Sequence, residues 1–440
     1  MKYPKYPVYK DSGIDWFGKI PGDWQVDRLK WTAEGCNNGI WGEEADGGEN
    51  DIICIRVADF DRQKFTVGLS DPTFRSVTQS QRSSRELNRG DLLLEKSGGG
   101  EKQPVGAVVI YDHPEPAVCS NFVAKMVIRP EYNSRYICYI HAMLYSKRVN
   151  TRSIKQNTGI QNLDSTAYLD EKFPIPSLIE QSTIATFLDI ETAKIDTLIA
   201  KQERLIALLQ EKRQALISHA VTKGQNPDTP MKDSGVEWLG EIPSHWTVTS
   251  VWMLFRLGRG RVISNEEIMD NPGPYPVYSS QTEREGVMGY LDTFDFEGEY
   301  ITWTTDGANA GTVFYRTGQF NCTNVCGTLL PSRNDLDLQF FRHAINNLTD
   351  RFVRQDINPK LMNNVMAGIR VQFPPLPEQS AIVVFLNQET AKIDTLSEKA
   401  KAVIERLNER RSALISAAVT GKIDVRAYTN GTPYEPTQRD

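Results

Sequence analysis

Two stretches of the chain, 180–222 and 378–420, contain neither glycine nor proline and carry apolar residues at steps of three and four, the spacing that lines up side chains on one face of a helix. Each predicts a short helix bearing Ile184, Phe187 and Leu188 (Ile382, Phe385 and Leu386 in the second stretch), followed by a long one. In the long helices the expected seam is Ile195, Leu198, Leu205, Leu209 and Leu216, repeated as Ile393, Leu396, Val403, Leu407 and Leu414. Ser177 with Glu180 forms a capping-box pattern, Pro377 suits a first helical turn, and Gly224 and Gly421 follow as stop signals. A single helix turned to solvent would account for either seam alone. Two matching seams in one chain bury each other more simply, as an antiparallel coiled coil.

The remainder alternates short β-rich runs with Gly, Asn and Pro turns, so each intervening lobe reads as a strand-rich α/β domain. A helix follows the strands in each lobe, over about 135–146 and 338–353.

The chain repeats itself. The segment Asp11-Ser12-Gly13-Ile14-Asp15-Trp16-Phe17-Gly18-Lys19-Ile20-Pro21-Gly22-Asp23-Trp24 returns from Asp233 to Trp246 with both tryptophans, both glycines and the Ile-Pro pair in place. Glu-Thr-Ala-Lys-Ile-Asp-Thr-Leu is identical at 191 and 389. The lobe interiors correspond only in outline: Ile52 to Val57 with Pro274 to Ser279, Gly90 to Leu94 with Gly298 to Thr302, and Gly106-Ala107-Val108 with Gly311-Thr312-Val313. The order is a first lobe (1–175), a central helical region (176–224), a second lobe (225–375), a C-terminal helical region (376–422) and a polar tail (423–440) expected to lack fixed structure. The expected fold is α/β (α+β), with an internal pseudo-two-fold repeat. The repeated tryptophans could stack on bases, but kept with Ile-Pro in both copies they better suit anchors of the lobe core or of its junction with the helices.

At 440 residues with 40% hydrophobic content, the chain can bury two ordinary cores. No apolar run approaches the roughly 20 residues of a membrane span and the start lacks a signal-peptide core, so a cytoplasmic protein with no membrane partner is expected. The six scattered cysteines read as reduced thiols, and Cys322 with Cys326 lacks the further ligands of a zinc site. A formal charge of −6 does not advertise nucleic-acid binding, although a basic groove can sit on an acidic body.

Candidate chemistry concentrates in loops. After the first lobe's helix, Lys147, Arg148, Arg152 and Lys155 run without an acid up to Asn162, and Arg351, Arg354 and Lys360 occupy the matching place in the second lobe, diluted by Asp350 and Asp356. A basic stretch is usually a solvated face, and matching positions in both lobes bring phosphate contact level with that reading. Ser97-Gly98-Gly99-Gly100-Glu101-Lys102-Gln103 resembles a phosphate loop, but its lysine follows Glu and no Ser or Thr comes after it to hold magnesium. As a loop after a strand, with Lys96, Ser97, Lys102 and Gln103, it suits base edges better. Thr304, Thr305 and Asn309 take that place in the second lobe, and Arg56, Arg259, Arg261, Ser279, Ser280 and Gln281 complete the candidate DNA-contacting set. Asp71-Pro72-Thr73-Phe74 is one residue from a base-gripping methyltransferase motif, but no Gly-rich cofactor loop accompanies it, so it reads as a turn. No catalytic or metal-ligating constellation emerges.

The opening Asp-Ser-Gly-x-x-Trp-x-Gly-x-Ile-Pro-x-x-Trp, the run Phe373-Pro374-Pro375-Leu376-Pro377-Glu378-Gln379 and the closing Ala-Leu-Ile-Ser-x-Ala-Val-Thr at 215–222 and 413–420 strongly resemble the specificity subunit of type I restriction-modification enzymes. The first copy departs only in having Pro174-Ile175-Pro176-Ser177-Leu178-Ile179 before its helix. The resemblance implies two target recognition domains that each read half of a bipartite site on double-stranded DNA, and helices that dock two methylation subunits within an assembly that includes translocating restriction subunits. It implies a non-catalytic chain, with S-adenosylmethionine, ATP and magnesium belonging to the partners. The competing readings are a protein-binding scaffold with two lobes, or a methyltransferase or nuclease with eroded motifs.

Overall fold

The computed structural model describes residues 3–157, 159–354 and 357–428. They form two compact units, 1–201 with 402–440 and 202–401. Each unit holds one strand-rich lobe and part of each long helix. The main helices are α1 (Ser134–Ser146), α2 (Leu178–Lys223), α3 (Leu338–Thr349) and α4 (Leu376–Val419). Asn133 caps α1 by accepting the Tyr136 N–H at 2.9 Å, and Asp337 does the same for α3 with Gln339 at 3.1 Å. α3 stops at Thr349, short of the expected 353.

α2 and α4 are each continuous, which corrects the expectation of a short helix followed by a long one. Nothing between the two apolar clusters breaks the backbone, and Thr192 and Thr390 turn their hydroxyls onto the Leu188 and Leu386 carbonyls one turn back at 2.7 Å.

Within the first unit, Asp196 of α2 meets Arg411 of α4 at 3.5 Å. Toward the other end of the same pair, Tyr6 reaches Glu180 and the neighbouring Tyr9 reaches the Gly421 carbonyl. The helices are therefore antiparallel. In the second unit Arg213 meets Asp394 at 3.4 Å, and Gln225 reaches the Ala381 carbonyl, again antiparallel.

The seam differs from the expected one. Leu198, Leu205, Leu396 and Val403 are 39–49% exposed. The inward positions of α2 are Thr192, Ile195, Ile199, Gln202, Ile206, Leu209, Arg213, Leu216 and Ala220, an unbroken three-four alternation, and the equivalent set recurs in α4 from Thr390 to Ala418. Gln202 and Arg213, with Ser397 and Arg411 in α4, sit on this stripe. A search for leucines passes over them and drifts to the neighbouring face.

Each lobe is built on a six-stranded sheet. In the first, the order is 33–38, 123–128, 92–95, 108–110, 66–67 and 60–61, and in the second 255–259, 326–331, 296–304, 313–322, 275–278 and 287–291. The first four strands of each correspond, all antiparallel neighbours. The first lobe also has a separate four-stranded sheet in which 117–119 runs parallel to 51–55. In the second lobe the matching pair is the end of 313–322 against 275–278, also parallel. One long strand there replaces two interrupted ones. The two strands correspond, but one residue away from the expected match of Ile52–Val57 with Pro274–Ser279: Ser120 N–H bonds the Ile55 carbonyl as Thr323 N–H bonds that of Tyr278, so Ile55 corresponds to Tyr278 rather than Val277.

The central strands align one residue away from the glycine-based match. Glu95 N–H bonds the Ala107 carbonyl as Thr304 N–H bonds that of Thr312, so Leu92 corresponds to Ile301 rather than Tyr300. A one-residue slip turns a strand's faces over. Leu92 and Ile301 are both fully buried whereas Tyr300 is not.

Trp24 and Trp246 anchor the junctions of lobe and helix. Both are buried. Trp24 Nε1 donates to Glu180 at 3.1 Å and Trp246 Nε1 to Glu378 at 2.9 Å. Ser177 does accept the Glu180 N–H, but the Glu180 carboxylate serves Trp24 and Tyr6 and closes no capping box. Gly421 is left-handed, with φ +68°, and a Cβ there would fall 2.3 Å from Pro21, so only glycine fits this stop.

The start of the expected tail is ordered. Val425 is buried, the Asp424 N–H bonds the Pro4 carbonyl, and Tyr428 packs edge-on against Phe187. The rest of that expectation, 429–440, lies outside the described residues. All six cysteines are unpaired thiols. Among the described residues no helix is long and apolar enough to cross a membrane.

Candidate nucleic-acid interface

The strand directions separate two ends of each lobe. In the first lobe, 25–28 pairs with 172–175, the strand that leads into α2, and Leu29 N–H bonds the Glu171 carbonyl. Strand 33–38 then runs away from that junction, with Ala33 beside Ile128 and Asn38 beside Ala124. The remote end therefore gathers Asn38, Glu95 with the residues after it, and Phe122. Lys96 Nζ donates to Asn38 Oδ1 at 2.6 Å. Ser97 pairs with Asn162 in the backbone and bonds its side chain at 2.6 Å. Lys155, opposite Asn162 in the next strand, is engaged by Asp164 at 2.7 Å.

Beside this group lies a cleft of about 450 Å³ lined by Trp41, Arg56, Ser97, Asn121 and Phe122 among others. Trp41 is 39% exposed and Phe122 45%. Asp59 holds Arg56 through two hydrogen bonds, raising its pKa above the ordinary arginine value. Arg75 stacks on the Trp41 ring at 4.6 Å, and partly exposed apolar surface beside a cation and amides suits contact with base edges.

The second lobe places different side chains on the same frame. Thr305 N–H bonds the Val325 carbonyl as Lys96 N–H bonds that of Phe122, and Leu361 N–H bonds Thr305 as Leu163 N–H bonds Lys96. Lys96 thus corresponds to Thr305, Ser97 to Asp306 and Asn162 to Lys360. Gly39 and Gly260 fix the remaining pair, since a Cβ on either would fall 2.1 Å from the carbonyl of Cys119 or Cys322. Asn38 therefore corresponds to Arg259. Arg259 donates Nε–H to the Asn324 carbonyl at 2.6 Å and lies 3.4 Å from Asp306, which Lys360 approaches at 3.5 Å.

Several candidates fall elsewhere. Thr304 and Thr305 are buried, at 1% and 0% exposure, and form the strand end rather than a reaching loop. Arg261 is committed to Glu267 at 2.6 Å and Asp295 at 2.9 Å. Ser279 accepts a hydrogen bond from Thr323, the Ser280 carbonyl accepts one from Asn309, and Gln281 donates to the Val287 carbonyl, so these polar groups brace the turn. The basic run of the first lobe is split. Lys147 lines a groove with Asn408 and Ser412 of α4, Arg148 bonds the Lys102 carbonyl, and Arg152 lies 3.9 Å from Glu171 at the junction end. Lys102 and Gln103 are exposed on their loop, and Arg351 is exposed just past α3. Arg354 pairs with Lys360 in the backbone, as Lys155 does with Asn162.

The sequence reading missed Asn38, Trp41, Phe122, Asn162 and Asp306. One usable signal was the Gly39 and Gly260 pair, which lies almost at the offset of the tryptophan segment. Among the described residues no group of three or more His, Cys, Asp or Glu could hold a metal ion.

The family model for the type I restriction modification DNA specificity domain matches this chain twice, over residues 64–207 and 243–406. The chain belongs to that family. A Mycoplasma pneumoniae (strain ATCC 29342 / M129) protein described as a type I specificity subunit N-terminus is 45% identical over 130 residues, 29% of this chain and 70% of that protein. Other type I specificity subunits of that organism match over 35% to 49% of their own length, so the chain aligns with less than two thirds of each. A solved structure concerning complex assembly and conformational transition of the type I R-M system superimposes with a TM-score of 0.70 at 11% identity, covering 92% of this chain and 99% of that one. The HsdS subunit from Thermoanaerobacter tengcongensis superimposes with a TM-score of 0.52 at 12% identity, over 92% and 98%. At such identities the likeness is one of fold, and the fold is that of a type I specificity subunit with two recognition lobes.

Proposed function

We propose that this chain is the DNA-reading subunit of a type I restriction-modification complex, each lobe recognising one half of a bipartite site on double-stranded DNA. The observation that carries the reading is the pair of equivalent remote ends. The backbone hydrogen bonds match position for position, while the side chains on them are Asn38, Lys96, Ser97 and Asn162 in one lobe and Arg259, Thr305, Asp306 and Lys360 in the other. A constant frame with variable polar ends suits two readers of different sequences.

In this reading α2 and α4 dock two methylation subunits, and translocating restriction subunits complete the assembly in the cytoplasm. Catalysis, and the S-adenosylmethionine, ATP and magnesium it uses, belong to those partners. The exposed apolar residues of the helices, Leu198 and Val403 in the first unit and Leu205, Leu208 and Leu396 in the second, support the docking role, because a partner helix would cover them.

The test is to exchange residues 1–170 for the equivalent lobe of a relative and sequence the methylated positions in host DNA. One half of the recognised site should change while the other stays. A change in both halves, or methyl transfer by the purified chain alone, would overturn the reading.

A further inference from the structure

The cluster around Asp306 carries a more specific assignment, which rests on the DNA-reading role proposed above. We infer that Arg259 reads a guanine in the half-site of the second lobe, and that Asp306 is a positioning residue that orients it.

Arg259 sits at the remote end of strand 255–259 with its side chain 40% exposed. Two acceptors hold it from the protein side: the Asn324 carbonyl takes the Nε–H at 2.6 Å, and Asp306 Oδ2 lies 3.4 Å from Nη2. Among the described residues nothing meets Nη1. The guanidinium is therefore fixed in its plane, with donors left on its outer edge, the fork that matches the O6 and N7 acceptors of guanine in the major groove.

Bracing separates this assignment from a phosphate contact, which draws on net positive charge and needs no fixed side-chain direction. Arg259, Lys360 and Asp306 together keep one net positive charge, but Asp306 is held between the two cations and accepts from Thr305 Oγ1 at 2.6 Å. Such bracing leaves direction and hydrogen bonding as what the side chain offers. Arg261 does not share this geometry, because Glu267 and Asp295 hold its Nη2 and Nε and the Val262 carbonyl takes Nη1. The first lobe has Asn38 at the equivalent position and Ser97 in place of Asp306, so its half-site is read by other chemistry.

The test uses the whole complex. Methylation mapping defines the two half-sites, and the lobe exchange identifies which one belongs to the second lobe. Competition binding at fixed salt then compares duplexes substituted one position at a time. Arg259→Lys keeps the charge and loses the fork. It should lower the preference for guanine at one position of that half-site by about tenfold or more, leaving the other half-site and binding to unrelated DNA unchanged. Asp306→Asn should lower the same preference at the same position. An intact guanine preference in Arg259→Lys, an equal loss on every duplex, or a half-site without a G·C pair would overturn the assignment while leaving the broader reading in place. A wild-type complex that discriminates at no position would instead sink both.

Discussion

Arg411 reaches Asp196 across the first unit's helix pair at 3.5 Å while its guanidinium lies 5.3 Å from the centre of the Phe65 ring. The equivalent pair in the second unit, Arg213 with Asp394, lies 198 residues away in register for both partners. Burial distinguishes them. The side chains of the first pair are 7% and 23% exposed, those of the second 42% and 60%.

Removing one partner should therefore have unequal effects. Burial already pulls the Arg411 pKa below the ordinary arginine value, against the pull of Asp196. Asp196→Ala leaves that charge without its partner and should cost about 2–3 kcal/mol. Asp394→Ala should cost under about 1 kcal/mol. Urea denaturation of the two variants checks the contrast, and equal effects would refute it.

Two buried histidines make stability fall in acid. His141 bonds the Tyr168 hydroxyl at 2.8 Å through Nδ1, and burial lowers its pKa to about 3. His343 is lowered to about 3 by burial and by the neighbouring Arg342 and Arg213. Both stay neutral in the folded chain while the unfolded chain protonates them below about 6.5. The stability this provides is complete above that pH and shrinks as the pH falls toward 3, by about 2 kcal/mol per histidine between pH 7 and 5. Thermal unfolding across that range should show the decline, and His141→Gln should flatten it.

Leu198 and Leu396 are 45% and 49% exposed on equivalent helix positions. Changing both to Glu should leave the melting temperature within about 2 °C of wild type, because little packing is lost. Co-purification with the methylation subunit should fall at least tenfold. Undiminished co-purification would move the docking surface elsewhere.

A fragment ending at Gly224 loses the segment that supplies Leu414, Ile415 and Ala418 to the first unit's core. It retains Leu216, Ile217 and Ala220 at the equivalent positions of α2. A second copy can supply these in an antiparallel homodimer, which would also pair Asp196 with the other copy's Arg213. Light scattering at micromolar concentration should give the mass of a dimer, and a monomer would rule out interchangeable seams.

The repeat, the two lobes, the helical stretches and the role of Trp24 and Trp246 were legible because they rest on local pattern or on identity between copies. The seam was misplaced around Gln202 and Ser397, polar residues at inward positions that hydrophobic spacing cannot mark. The remote ends were harder still. Asn38, Lys96 and Asn162 come together from three strands, and no spacing along the chain announces pairing across a sheet. Thr304 and Thr305 looked like loop residues beside a glycine, yet their backbone groups continue the sheet and bury the side chains. The first residues of the tail looked polar, but Val425 and Tyr428 find apolar partners that only the folded unit provides.

The fixed helix register also sets where the chain tolerates change in length. Between Trp24 and Trp246 the copies are 222 residues apart, and by Asp196 and Asp394 only 198, so the lobes have gained or lost residues while the helices have kept step. A loop in a lobe absorbs an inserted residue for a few tenths of a kcal/mol. A single residue inserted in α2 after Asp196 rotates everything beyond it by about 100° and swings Arg213 off the face that meets Asp394. The loops of the lobes can be edited in length, and the helices only as whole units.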